Sequence, residues 1–201
     1  MIDHTRKCIY IHIPRTAGTS IERWITGKDW WLVDSKTKHL LASQAKRIYA
    51  DHWDTYFKFA FVRNPWDRMV SMAKYGEFYG VHMCNNIVNI DQYLNKYNDQ
   101  LTLEHDQRFY RRDCLLSDKH KTGCVYGNIL DEELDFVGTY ENLQHDITLV
   151  RDALSIKSAF DYHVEKSHNR RDDYTQHYNS HAKQQVESLY QQDIIKYNYS
   201  F

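Results

Sequence analysis

Twice in this chain an apolar strand runs into a tight turn and then into the start of an amphipathic helix. In the first copy, Cys8-Ile-Tyr-Ile-His-Ile13 puts Ile9, Ile11 and Ile13 on one face, the pattern of a short, largely buried strand in a parallel sheet. Pro14 ends it, and Arg15 to Gly18 form a turn. Thr19 with Glu22 three residues later matches a capping box opening a helix around Ile21, Trp24 and Ile25, and Gly27 closes that helix. In the second copy, Lys58-Phe-Ala-Phe-Val62 is the strand, Asn64 the N-cap and Pro65 the first helical residue, with Met69, Val70 and Ala73 continuing the helix from about Trp66. A strand that turns into a helix N-terminus gathers backbone N–H groups and the positive end of a helix dipole at one point, so each copy is a place for an anion. Two such places suit a nucleotide.

The Walker A loop is one solution to that problem, but it needs G-x-x-x-x-G-K-[ST], and this chain has neither the first glycine nor the Gly-Lys pair. Pro14-Arg15-Thr16-Ala17-Gly18-Thr19-Ser20 instead resembles the 5′-phosphosulfate loop of sulfotransferases that use 3′-phosphoadenosine 5′-phosphosulfate (PAPS), usually Pro-Lys-Thr-x-[GS]-Thr-[ST]. Arg15 stands where a lysine is usual; it keeps the charge and offers a planar fork of donors. Arg63 leaving the second strand and Ser71 eight residues later resemble the family's 3′-phosphate signature. The resemblance implies a P-loop-like three-layer α/β fold, with a central mostly parallel sheet flanked by helices. It also implies PAPS as donor, 3′,5′-adenosine bisphosphate as product and no metal. It is closer to the carbohydrate type than to the steroid or phenol type, so the acceptor it implies is a glycan or a small hydroxyl compound.

A hydroxyl must lose its proton as sulfur transfers, which calls for a side chain titrating near neutrality. Of the 12 histidines, the resemblance implies His39, in Lys36-Thr-Lys-His39, as that base, with Lys38 or Lys36 near the bridging oxygen and Arg15 beside the moving sulfonate. His52 is the reserve candidate. Phe136-Val-Gly-Thr-Tyr-Glu-Asn-Leu143 resembles a late strand-turn-helix signature of carbohydrate-type enzymes; its Tyr140-Glu141-Asn142 is expected to order the turn, and Leu143, Ile147, Val150 and Leu154 follow at helical spacing. Arg170 and Arg171 lie in a loop that the resemblance places over the cofactor's phosphates, before a final helix and an aromatic terminus.

With 201 residues, 42% hydrophobic and 26% charged, the chain is expected to form one sulfotransferase domain over residues 1–201, around one core. A net charge of −1 argues against a broad nucleic-acid face. No apolar run approaches the roughly 20 residues that span a bilayer, and the first motif lies close to Met1, so a soluble cytoplasmic enzyme of bacterial or viral type is expected, unlike the anchored Golgi enzymes. Cys8, Cys84, Cys114 and Cys124 form no C-x-x-C pair and are expected as free thiols, a Cys114–Cys124 bridge being the alternative. His177 and His181 are expected at the surface rather than on a metal, and Trp30-Trp31 either as packing residues or as a platform for a sugar ring. Residues 75–128 carry no assignable motif and are left, by exclusion, to shape the acceptor site. A P-loop kinase is disfavoured by the missing Gly-Lys, whereas a non-catalytic nucleotide-binding module would keep both phosphate motifs and lack only turnover.

Overall fold

The computed structural model describes residues 1–76, 83–84, 87–97, 121, 123–161 and 173–201. The fold is α/β. Among the described residues its sheet has four strands, β1 (Ile2–Asp3), β2 (Cys8–Ile11), β3 (Phe57–Val62) and, later in the chain, the strand Phe136–Thr139, in that spatial order. Only β1 runs antiparallel; β3 pairs in parallel with β2, Ile11 opposite Ala60, and with Phe136–Thr139, Val62 opposite Thr139. Parallel strands end at the same edge, so the turns after β2, β3 and Phe136–Thr139 share one rim.

Two compact units form, Met1–Arg63 with Ile129–Val164, and Asn64–Asn128 with Glu165–Phe201. The first unit holds the sheet and the helices α1 (Gly18–Thr26), α2 (Trp31–Asp34), α3 (Ala42–Ile48) and α4 (Ala50–Trp53). Alternation along the strands sends Cys8, Tyr10, Phe59 and Phe61 to one face, where Ile21, Trp24 and Ile25 of α1 meet them together with Ile147 and Val150 of the helix Leu143–Ala153. Each such large apolar side chain contributes about 1.5–3 kcal/mol by leaving water. Ile9, Ile11, Ala60 and Val62 are equally buried, and α3 lies against β2. Both strand faces are covered, which is why these strands read as continuous apolar runs. Gly138 is a glycine because Phe61 crosses it: a Cβ there would stand 2.5 Å from the Phe61 ring.

The second unit is built on α5 (Pro65–Gly76). Asn64 caps it as expected, its Oδ1 accepting from the amides of Trp66 at 3.1 Å and Asp67 at 3.4 Å. The short antiparallel pair β4 (Met83–Cys84) and β5 (Ile87–Val88) precedes α6 (Ile90–Tyr97), and α7 (Val125–Ile129) precedes β6, the strand Phe136–Thr139, and α8, the helix Leu143–Ala153. A 3₁₀ turn (Tyr174–His177), α9 (Ser180–Leu189) and α10 (Gln191–Lys196) follow. Asp193 of α10 is buried and accepts from the amides of Tyr126 and Gly127, capping α7. The buried Arg68 guanidinium donates to the Tyr190 hydroxyl at 2.6 Å and lies over Tyr126.

Two expectations change here. Thr19 and Glu22 make no capping box, since α1 is entered through Ala17 in a left-handed conformation, with no side-chain cap. His177 is not a surface residue: it is buried and its Nδ1 accepts from the Val88 amide at 3.1 Å, while His181, on a separate element, pairs with Asp91. Cys124 is a free thiol, as expected, directed at Asp193; Cys114 lies outside the described residues.

Candidate active site

The turn between β2 and α1 is strained in a specific way. Arg15 and Ala17 both adopt φ 68°, a left-handed conformation that costs a non-glycine residue roughly 1–2 kcal/mol, on either side of a fully buried Thr16. The Thr16 hydroxyl donates to the Ile13 carbonyl at 2.8 Å and closes the turn from beneath. Left-handed residues separated in this way curl the backbone, and the turn empties into α1, whose opening amides at Gly18 and Thr19 meet no carbonyl of their own helix. Strain held by a well-bonded surround is characteristic of binding loops. The curled amides form a concave cradle of donors, the shape that suits an anion.

Arg63 braces that cradle. It leaves β3 at the shared rim, is buried, and donates from Nη1 to the Arg15 carbonyl at 2.7 Å. Its guanidinium lies 4.1 Å over the Tyr140 ring. Tyr140 is fixed in turn by its own amide, which donates to the Val62 carbonyl at 2.8 Å, and by the turn that Asp146 ties through Thr139 and Asn142. The Tyr140-Glu141-Asn142 turn therefore does what was expected of it, and its ordered product is the seat of Arg63. Ser71 is a buried residue of α5, in the second unit. Arg170 and Arg171 lie outside the described residues.

His39 is buried, and its Nδ1 lies 2.9 Å from the His12 carbonyl. A carbonyl only accepts, so Nδ1 carries the hydrogen and Nε2 is the basic nitrogen. Burial, reinforced by the neighbouring His12 and Lys38, holds its pKa well below 6.5, so the ring stays neutral. The half-exposed Trp31, 46% accessible, stands edge to face with it at 5.6 Å, whereas Trp30 is a core residue whose indole donates to Thr37. Lys38 is only 1% exposed and its ammonium is held by Glu22 at 2.7 Å and Asp29 at 2.5 Å, so in this structure it serves an ion-pair network and not an open anion site. Lys36 is exposed. His52 stacks with Tyr56 and meets His4 just before β3 begins, at the opposite end of that strand from Arg63.

Sequence reading missed His12 and Glu22. Both are buried, and His12 Nδ1 lies 2.6 Å from Glu22 Oε1. Burial alone would raise the Glu22 carboxyl, but His12 and Lys38 draw it well below the usual carboxylate range. The available signal was a histidine inside an apolar strand and a glutamate between core positions of a helix; polar groups forced into a core come in partnered sets.

The model of the sulfotransferase family matches residues 1–200, and the chain belongs to that family. No curated protein and no solved structure matches it. No helix among the described residues is long and apolar enough to cross a membrane, and no cluster suited to a metal ion occurs among them.

Proposed function

We propose that the chain acts as a single sulfotransferase domain over residues 1–201, moving the sulfonate of PAPS to a carbohydrate hydroxyl. The observation that carries this reading is a neutral His39, Nε2 basic, in the same unit as a strained anion cradle braced by Arg63 through the Arg15 carbonyl. The residues fit the donor: the amides from Thr16 to Ser20 with Arg15 suit its 5′-phosphosulfate, and the sequence motif assigns Arg63 and Ser71 to its 3′-phosphate. Arg170 and Arg171 remain assigned to the phosphates on the same footing. In the reaction, the acceptor oxygen forms its bond to sulfur as the bond from sulfur to the bridging phosphate oxygen breaks. The acceptor proton passes to His39 Nε2, and negative charge gathers on the departing phosphate, where the cradle's amides and the Arg15 guanidinium stabilise it. Lys38 supports this from the next position by anchoring the His39 segment. The carbohydrate acceptor is supported by Trp31, whose half-exposed ring beside His39 offers a face on which a sugar can stack.

Calorimetry tests the donor: 3′,5′-adenosine bisphosphate should bind far more tightly than AMP or ATP, without magnesium, and equal affinity for AMP would remove the 3′-phosphate assignment. Arg63→Ala should weaken bisphosphate binding about tenfold or more, the loss of a charge-assisted contact worth roughly 1.5–3 kcal/mol. A screen of glycans and small hydroxyl compounds with sulfur-35-labelled PAPS tests turnover. Bisphosphate binding with no transfer to any acceptor would favour the non-catalytic nucleotide-binding module instead.

A further inference from the structure

Glu22 stands where the segments that build the site meet, although sulfonate transfer itself asks for no carboxylate there. Its side chain is wholly buried on α1. Oε1 accepts from His12 Nδ1 at 2.6 Å, while Oε2 accepts from Lys38 Nζ at 2.7 Å and from the Trp30 amide at 3.3 Å. Each partner reaches a different working part. His12 lies against the cradle, since a Cβ on Gly18 would fall 1.9 Å from its Nε2, and its carbonyl accepts from His39 Nδ1. Lys38 is the residue before His39, and Trp30 the residue before Trp31. A buried carboxylate is costly unless its charge and lone pairs are matched. Here the matching groups come from the strand end, the segment of the base and the turn before α2.

We propose that Glu22 is the positioning residue of this site: one buried anion that, through His12 and Lys38, fixes the base His39 relative to the phosphate cradle. The role given to His39 rests on the sulfotransferase reading; the linkage itself does not. An ionised Glu22 only accepts, so His12 carries its hydrogen on Nδ1, and His39 does the same toward the His12 carbonyl. Both rings are thereby held with Nε2 as the basic nitrogen. With the Glu22 charge removed, Lys38 keeps Asp29 alone, and the Lys38–His39 segment loses its tie to α1.

The test is Glu22→Gln, read first by nitrogen-15 histidine NMR on the ligand-free protein and then by sulfate transfer and bisphosphate calorimetry. The two histidines face each other, Glu22, Lys38, the buried Met1 ammonium and the Tyr10 and Trp31 rings, so Glu22→Gln changes one charge in that set. In the parent, His39 should show a single tautomer, protonated at Nδ1, and a titration midpoint below 6.5. In Glu22→Gln it should show mixed tautomers and a midpoint displaced from the parent's, with kcat down about ten- to a hundredfold, the scale of an ångström's misplacement, and bisphosphate affinity changed by less than about threefold. A Glu22→Gln protein with the parental His39 tautomer, midpoint and kcat, lowered only in Tm, overturns the proposal. Should Glu22→Gln not fold, Glu22→Gln/Lys38→Met removes both charges together and is read in the same way; if that too is unfolded, the carboxylate serves folding and the proposal falls. A parent that transfers no sulfate sinks the enzyme reading, while the NMR comparison still decides the role of Glu22.

Discussion

At the scale of single residues, His39 carries the sharpest test. Removing a general base lowers turnover by roughly 10²–10⁴-fold. His39→Ala should therefore lose that much sulfate transfer while binding 3′,5′-adenosine bisphosphate nearly as the parent does. Unchanged turnover would take the base role from His39, and lost binding would make it a structural residue. Because burial and the charges of His12 and Lys38 disfavour the imidazolium, the acid limb of the rate profile should lie below pH 6.5, not at it, when chemistry limits the rate. Trp31 is the residue to change for the acceptor. Trp31→Ala should raise the acceptor KM several-fold without altering bisphosphate affinity, since its ring lies against His39 and Lys38.

At the scale of elements, the β2–α1 turn trades local strain for a ligand cradle, and its tolerance for change is narrow. Gly18→Ala would drive a methyl into the His12 ring, a side chain pinned at Nδ1 by Glu22, so the ring cannot swing aside at low cost. A destabilisation of about 1–3 kcal/mol follows from such overpacking, together with weakened bisphosphate binding; denaturant unfolding and calorimetry on one preparation would register both. The α5 entry is plainer. Asn64→Ala removes a cap that accepts from two amides and should cost about 1 kcal/mol in the same unfolding assay. Its effect should appear in stability first, because Asn64 caps α5 and neither motif needs its side chain for phosphate.

At the scale of the whole molecule, the buried histidines set the pH dependence of stability. His12 and His39 both have folded pKa values below the 6.5 of an unfolded chain, mainly through burial. Beneath pH 6.5 the unfolded state therefore takes up protons that the native state refuses, and stability falls as pH falls, by up to about 1.4 kcal/mol per pH unit for each histidine. Tm measured from pH 8 to 5 should be flat above about 7 and decline below 6.5; a profile flat to pH 5 would mean that these rings titrate normally in the fold. The sequence by itself determined the α/β class, the mostly parallel character of the sheet, the two strand-turn-helix units and the sulfotransferase family, because apolar runs, turn residues and caps act over a few neighbours and are written contiguously. It also placed Asn64, Pro65, Gly27 and the Tyr140-Glu141-Asn142 turn correctly for the same reason. Tertiary structure alone decided that Glu22 faces His12 and Lys38 instead of capping its own helix, that the Arg63 guanidinium rests on Tyr140, and that Lys38 is spent on an ion pair. Those outcomes join residues 10, 16 and 77 positions apart, and burial is what decides them: a carboxylate enclosed by the core must find whatever cations the fold brings to it, and no local pattern encodes which ones arrive.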